Sequence, residues 1–362
     1  MEITIKELGK IITGNPPNKG TKEFWDSKDI YFVKPDIISD NGITTISKSN
    51  QYISEAARKK ARIVKKDAIF VTCIGSIGKI GIASKGEYAF NQQINAIAPN
   101  EKIIPKYLAY NLLFNKGRLT ALANAPVVPI INKSQFSNFH IKNTSDINKQ
   151  VKIVDVLDKL MLIIERRKEE LSTLDDLIRA RFVEMFGNPV LNDKKFSTLS
   201  GEAFFKLSNG KAVPEEKRYE VGIPAYGGNG ISWYTNEVLR VKDTLVVGRV
   251  GFQSGNVHYA IGPLWITDNA MYISQYDKDK INLVFLCELM QRVNFSRFQD
   301  AGDLKKITQK PFMSFQYILP SMKLQQKFVD FKVQVDKSKI EVQKALDETQ
   351  QLFDSLMQQY FG

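Results

Sequence analysis

Glu170-Leu171-Ser172-Thr173-Leu174-Asp175-Asp176-Leu177-Ile178 runs on to Arg181-Phe182-Val183-Glu184-Met185-Phe186-Gly187. The pattern returns as Ala345-Leu346, then Leu352-Phe353, then Leu356-Met357-Gln358-Gln359-Tyr360-Phe361-Gly362. Leu171 matches Leu346, Leu177 matches Leu352 and Phe186-Gly187 matches Phe361-Gly362, an offset of 175 residues. Working outward, Gln150 aligns with Gln326. Ile131-Asn132-Lys133-Ser134-Gln135-Phe136 aligns with Ile307-Thr308-Gln309-Lys310-Pro311-Phe312, and Lys66-Asp67-Ala68-Ile69-Phe70-Val71 with Lys242-Asp243-Thr244-Leu245-Val246-Val247. These three pairs share an offset of 176. Lys10 and Gly14 match Lys206 and Gly210 across a longer gap. A repeat this long is no solenoid period; it describes two homologous domains in tandem. The middles differ most: Tyr226-Gly227-Gly228-Asn229-Gly230-Ile231-Ser232-Trp233-Tyr234 has no close counterpart in the first copy.

Each copy ends in a long helix. From about 147 to 186, apolar residues recur at Ile153, Leu157, Leu160, Ile164, Leu171, Leu174, Ile178 and Met185, with Arg167 and Arg181 at the seam positions between. Steps of four and three make a heptad seam rather than a broad apolar face. Ser145 or Asp146 could cap the start, and Gly187-Asn188-Pro189 ends the helix. From about 323 to 361 the seam is Phe328, Phe331, Val335, Val342, Ala345, Leu352 and Leu356, with Ser338 and Thr349 at seam positions. A seam needs a partner. The two helices are expected to pair antiparallel; the alternative is that each packs on its own domain or on another chain. The globular halves read as mixed. Thr4-Ile5-Lys6-Glu7 is a capping box, Ala68–Val71 and Leu245–Val247 read as strands, and Lys106–Leu113 and Val284–Met290 read as short helices. The expected class is α+β: two homologous mixed α/β domains, 1–146 and 189–322, separated by helices at 147–188 and 323–362 that pair as a pseudo-two-fold antiparallel coiled coil.

The net charge of +12 points to a polyanion partner. No apolar run approaches the ~18 residues of a membrane span, and Met1–Lys6 lacks a basic segment followed by an apolar one, so no secretory signal is visible and a cytoplasmic protein is expected. The two cysteines, Cys73 and Cys287, read as buried free thiols, and His140 and His258 have no metal-ligand spacing. Asn15-Pro16-Pro17-Asn18 lacks the aromatic that an amino-methyltransferase motif would stack on a flipped base. In Cys73-Ile74-Gly75-Ser76-Ile77-Gly78-Lys79-Ile80, Cys73 stands where a phosphate loop needs its first glycine. No nucleophile, base and orienter set is found. No catalytic residue, metal or cofactor is therefore expected in this chain.

These features together resemble the specificity subunit of type I restriction-modification enzymes over essentially the full length. The match rests on the two-fold repeat of domain plus helix, on Ile318-Leu319-Pro320-Ser321-Met322-Lys323-Leu324-Gln325-Gln326 leading into the second helix, and on Ala180–Pro189 leaving the first. It rests also on Gly75-Ser76-Ile77-Gly78-Lys79 with its counterpart Gly248-Arg249-Val250-Gly251-Phe252-Gln253-Ser254-Gly255, followed by Phe90-Asn91-Gln92-Gln93 and Thr267-Asp268-Asn269. The first copy departs at Asn143–Asn148, which lacks the prolines. The resemblance implies that each target-recognition domain reads one half of a bipartite double-stranded DNA site. It implies that the helices set the gap and dock two modification subunits carrying S-adenosylmethionine, and that restriction/motor subunits complete the complex. Catalysis would then lie in the partners. The other readings are a coiled-coil scaffold with incidental charge and an autonomous DNA methyltransferase, the latter opposed by the missing cofactor loop.

Phosphate contacts need Lys and Arg; base edges need polar side chains. The candidates in the first half are Lys19, Lys22, Arg58, Lys59, Lys60 and Arg62, with Ser76 and Lys79 in the glycine turn and Gln92 and Gln93 for adenine edges. In the second half they are Asn229, Tyr234, Arg249, Gln253, Lys305 and Lys306.

Overall fold

The structure, a computed structural model, describes residues 2–123, 128–302 and 305–362. The chain divides into two compact units, Met1–Lys168 with Lys344–Gly362, and Glu169–Gln343. Each unit holds one globular half and a part of each long helix. The helices run Ile147–Phe186 and Met322–Phe361.

In the first unit the capping box forms: helix Ile5–Leu8 starts at Thr4, whose amide donates to Glu7 Oε2 at 2.9 Å. A sheet then assembles in the order Gly9–Thr13, Ile94–Pro99, Ile69–Thr72, Ile80–Ala83, Ile43–Ile46. A second sheet has the order Gln51–Ile53, Ile30–Val33, Glu87–Phe90, Ile63–Lys65. Glu2–Thr4 pairs His140–Lys142.

The second unit repeats this plan. Phe205–Asn209, Ala270–Tyr276, Thr244–Gly248 and Val257–Ala260 form one sheet in the corresponding order. Gly230–Thr235, Ile223–Gly227 and Trp265–Ile266 form the other, and Thr198–Ser200 pairs Gln316–Ile318. The segment around Tyr226–Tyr234 therefore does have a counterpart. Ile223–Gly227 pairs Gly230–Thr235 antiparallel and Trp265–Ile266 parallel, as Ile30–Val33 pairs Gln51–Ile53 and Glu87–Phe90. A tight Gly228-Asn229 turn closes the second hairpin. In the first unit the chain makes an excursion from Lys34 to Asn50 that adds strand Ile43–Ile46 to the main sheet, and this hides the likeness in the sequence.

The glycines at the end of the first core strand are kept for space. A Cβ on Gly14 would lie 2.0 Å from the Asn91 carbonyl oxygen, and one on Gly210 2.0 Å from that of Thr267. Both amides donate into the neighbouring strand connection, Gly14 to Ile94 at 3.0 Å and Gly210 to Ala270 at 2.9 Å.

Inside each unit the two helix segments run antiparallel. In the second, Asp175 meets Lys339 at 2.6 Å, Arg181 lies over Phe331, and Phe182 and Phe186 meet Phe328. In the first, Tyr110 donates to Asp158 at 2.7 Å and packs on Phe353, while Ile153 and Tyr360 line one cavity. Asp146 Oδ1 caps the central helix by accepting from the Lys149 amide at 3.1 Å. Gly187, at φ +69°, closes it, its N–H donating a hydrogen bond to the Val183 carbonyl at 2.8 Å.

Two sequence expectations change here. Ile153, Leu157, Leu160, Ile164, Ile178, Phe328, Val335 and Val342 are buried, and Leu171, Leu174, Phe331 and Leu356 are half-buried. Leu352, however, is 51% exposed, and Leu346, Phe353, Met357 and Phe361 are buried in its place. A helix of 3.6 residues per turn drifts from a strict heptad, and the last helix is not gripped by a helix partner alone. Phe361 and Phe353 pack on Tyr107 and Tyr110 of helix Pro105–Phe114. Phe182 and Phe186 likewise pack on Phe285 of helix Leu283–Val293. Each helix end thus presents a broad face to a globular half.

The second change concerns glutamine. The partner of Gln150 is Gln325, not Gln326. Gln150 accepts from the Ile104 amide at 2.7 Å and donates to the carbonyls of Lys102 and Thr144. Gln325 accepts from the Asn282 amide at 2.9 Å and donates to the carbonyls of Lys280 and Pro320. Both are fully buried, whereas Gln326 is exposed and bonds Asp330.

Candidate nucleic-acid interface

A glycine turn leaves the main sheet of each unit, and the same hydrogen bonds hold both turns. In the first unit the Cys73 amide donates to Gln93 O at 2.8 Å, the Ile131 amide to Cys73 O at 2.8 Å, and the Gly75 amide to Pro129 O at 3.0 Å; Ile74 bridges Ile130. In the second, the Arg249 amide donates to Asn269 O at 2.9 Å, the Ile307 amide to Arg249 O at 2.9 Å, and the Gly251 amide to Lys305 O at 2.8 Å; Val250 bridges Lys306. Every one of these residues corresponds at the offset of 176 already read from the sequence. Gly75 at φ +77° and Gly251 at φ +89° take a conformation that favours glycine, and a Cβ at either would meet open space. Backbone conformation, not crowding, is what selects glycine there.

The side chains on this shared backbone differ. Cys73 becomes Arg249, Ser76 becomes Phe252, Gln92 becomes Asp268, and Pro129-Ile130 becomes Lys305-Lys306. A fixed backbone with exchangeable side chains, of which Ser76, Gln92, Ile130, Phe252, Asp268 and Lys306 are exposed, can present different hydrogen-bonding and charge patterns to different targets.

In the second unit the turn gathers most of the expected residues. Arg249, Gln253, Lys305 and Lys306 sit on it or on the strand segment pinned to it. Gln253 accepts from Asn256. Asn229 is exposed at the hairpin tip, and its neighbour Gly228 lies against Gly248, with the Gly228 carbonyl 3.3 Å from His258 Nε2. Tyr234 is half-buried farther along that hairpin, and its backbone is tied to Tyr219. In the first unit Ser76 is exposed on the turn, and Gln92 is exposed beside it. Gln93 is half-buried and contributes its carbonyl to the turn.

The basic residues of the first unit cluster around its opening loop. Lys19 and Lys22 are exposed near the turn Lys22–Phe24, whose last carbonyl accepts from Ser54 ahead of the turn Glu55–Lys60. Lys59 and Lys60 are exposed, and Lys60 O accepts from Asn15 at 2.9 Å. Arg62 donates to Thr13 O at 2.8 Å. Two candidates have their charge already matched. Arg58 pairs with Glu55 and with Glu87, and these bonds raise its own proton affinity and hold the Glu87 carboxyl below its ordinary range. The Lys79 side chain is only 13% exposed and meets Asp40 at 3.1 Å. Both are better suited to holding the fold than to releasing counterions from DNA.

Chemical work of other kinds finds little here. Burial pushes the Cys73 thiol up to about 11 and that of Cys287 up to about 12, so neither is a ready nucleophile. Among the described residues no group of three or more His, Cys, Asp or Glu side chains could hold a metal ion. No helix is long and apolar enough to cross a membrane, again among the described residues. Sequence reasoning passed over Phe252, which is 87% exposed on the second turn. The signal was present as a large aromatic between two glycine-rich steps, Gly251 and Ser254-Gly255.

The family described as "Type I restriction modification DNA specificity domain" matches residues 1–173 and 193–350. The specificity subunit of the type I restriction enzyme EcoprrI of Escherichia coli is 23% identical over 89% of this chain and 84% of its own length. That of EcoR124I/EcoR124II, also of Escherichia coli, is 31% identical, but over 43% of this chain and 39% of its own. That match and the one to the HindI subunit of Haemophilus influenzae each span about two fifths of the relative's length. Among solved structures, a type I restriction-modification S subunit from M. genitalium has a TM-score of 0.66 at 18% identity, covering 100% of this chain and 96% of its own. A chain from a study of assembly and conformational transition of the type I R-M system has a TM-score of 0.61 at 14% identity, covering 99% and 97%.

Proposed function

We propose, for a chain that belongs to the type I restriction-modification DNA specificity family, that it reads a bipartite, asymmetric double-stranded DNA site. Residues 1–146 read one part and residues 189–322 the other. The observation that carries this reading is the shared turn. One hydrogen-bonded backbone supports Ser76, Gln92, Pro129 and Ile130 in one unit and Phe252, Asp268, Lys305 and Lys306 in the other. Two readers of one design with different reading groups suit two unlike half-sites.

The helices at 147–188 and 323–362 serve as spacer and as docking surface for two modification subunits. Those partners carry S-adenosylmethionine and the catalytic residues; this chain supplies the address. Restriction and motor subunits complete the assembly, and a cytoplasmic, prokaryotic setting follows from that role. Val156 and Ile163, both exposed on the central helix, leave apolar surface for such docking.

The test is co-expression of the full chain with a modification subunit of its own system, followed by genome-wide mapping of methylated adenine. A motif with two defined parts and an unspecified gap is expected. Methylation without any bipartite motif would overturn the reading. A coiled-coil scaffold with incidental charge would instead show no steep loss of duplex binding with rising salt.

A further inference from the structure

We propose that Phe252 is an aromatic wedge that enters a base step in the half-site read by residues 189–322. The inference rests on the DNA-reading role above and adds how one half-site is read. Phe252, at 87%, is the most exposed large hydrophobic side chain among the described residues. A phenyl ring left in water forgoes the burial that an aromatic normally supplies to a core or an interface.

Its support is rigid. The preceding Gly251 amide is bonded to Lys305 O, the Ser254 amide to Gly251 O at 3.0 Å, and Gln299 Nε2 donates to Ser254 O at 2.6 Å and to Phe252 O at 3.4 Å. Gly255 is pressed so closely against Ser296 that a Cβ there would come within 2.6 Å of the Ser296 amide nitrogen. A wedge must resist the stacking it opens, and a pinned turn can do so where a loose loop cannot.

The surroundings select the occupant. Arg249, Lys305 and Lys306 belong to the same turn and its partner segment, and Arg297 is exposed on the adjoining chain. Among the described residues, the acids on these same segments are Asp268, beside Asn269, and Asp300, whose amide donates to Lys306 O. Four cations against two carboxylates among the described residues around an exposed ring favour a polyanion with flat apolar faces, which is stacked DNA, over the apolar pocket of a protein. Insertion of an apolar side chain between base pairs unstacks and kinks a duplex, and flexible pyrimidine–purine steps yield most easily. The first turn carries Ser76 at the equivalent place, so only one half-site should be distorted this way.

The experiment uses the full chain assembled with its modification subunits and a duplex carrying the methylated motif. 2-Aminopurine is placed in turn at each step of both half-sites away from the methylated adenines, which the modification subunits flip themselves. Wild type should brighten one such step, in the second half-site alone. Phe252→Ala should abolish that signal and weaken specific binding about ten- to a hundred-fold, while Phe252→Trp keeps both. Because the ring is exposed, Phe252→Ala should unfold at the same temperature as wild type, so a loss of binding is not a loss of fold. Unchanged affinity and fluorescence in Phe252→Ala would sink the wedge, as would loss of the modification subunits from the complex with DNA contacts intact. If wild type showed no preference for any duplex, the reading role itself would fall, and the wedge with it.

Discussion

Lys305 and Lys306 occupy backbone positions that Pro129 and Ile130 hold in the other unit, so the structure there does not require a charge. Lysines free of structural duty on a candidate DNA face should act through phosphates. Replacing both with alanine should weaken binding to all duplexes alike and lower the slope of log affinity against log salt by about one per lysine; salt titrations of wild type and K305A/K306A measure it. An effect limited to one base pair of the motif would instead mark them as base readers. Arg58 behaves differently because Glu87 already holds it. Its bonds depress the Glu87 carboxyl in the folded state. That stability is present above the unfolded carboxyl's ordinary value and is lost as pH falls through the folded one. Wild type and Glu87→Gln should therefore differ in melting temperature at neutral pH and converge on acidification. A difference that grew with acid would refute the pairing.

The same logic applies to the buried glutamines. Gln150→Leu leaves the Ile104 amide and the carbonyls of Lys102 and Thr144 without their partner. Unsatisfied buried groups cost about 1–3 kcal/mol each, so denaturant titration should show a loss of about 3 kcal/mol or more. Gln326→Leu, at the exposed neighbour of the equivalent glutamine, should be close to neutral.

At the scale of elements, the long helices were legible because their apolar spacing is a local signal, and the central helix adds an aspartate cap and a glycine stop. Asp146, Gly187 and the repeating leucines need no tertiary knowledge to be read. The faces of the helix ends were not legible. Leu352 and Phe353 are adjacent in sequence, and a heptad count chooses the leucine, whereas helix Pro105–Phe114 chooses the phenylalanine by offering Tyr110. The choice depends on a surface contributed by distant residues. Phe353→Ala should cost about 3–5 kcal/mol, and Leu352→Ala should stay within about 0.5 kcal/mol; chemical denaturation of both variants decides between the seams. The hairpin Ile223–Thr235 was missed for a related reason. Its counterpart is split by an excursion that lends a strand to another sheet, and sheet order is not written in either stretch alone.

For the whole molecule, the repeat was the most legible feature and the reading surface the least. The offset of 176 that aligns Lys66–Val71 with Lys242–Val247 also aligns each hydrogen bond of the two turns, so the sequence held the scaffold of the site. What it hid was which charges were already spent. Lys79 sits beside Asp40 and Arg58 beside Glu55 and Glu87 through contacts that only folding creates. The division of labour this implies can be tested at the same scale. Gln150 and Gln325 anchor the two helix starts by the same three kinds of bond, and the turns share one backbone, so a globular half from another member of the family should dock onto the same helix ends. Replacing residues 1–146 with such a half should yield a folded chain that directs adenine methylation to a hybrid motif. One part would be new, and the part read by residues 189–322 would be unchanged. Methylation mapping of cells expressing the hybrid with the modification subunit measures this directly. A change in both parts would mean that the halves do not read independently, because each would then depend on side chains supplied by the other.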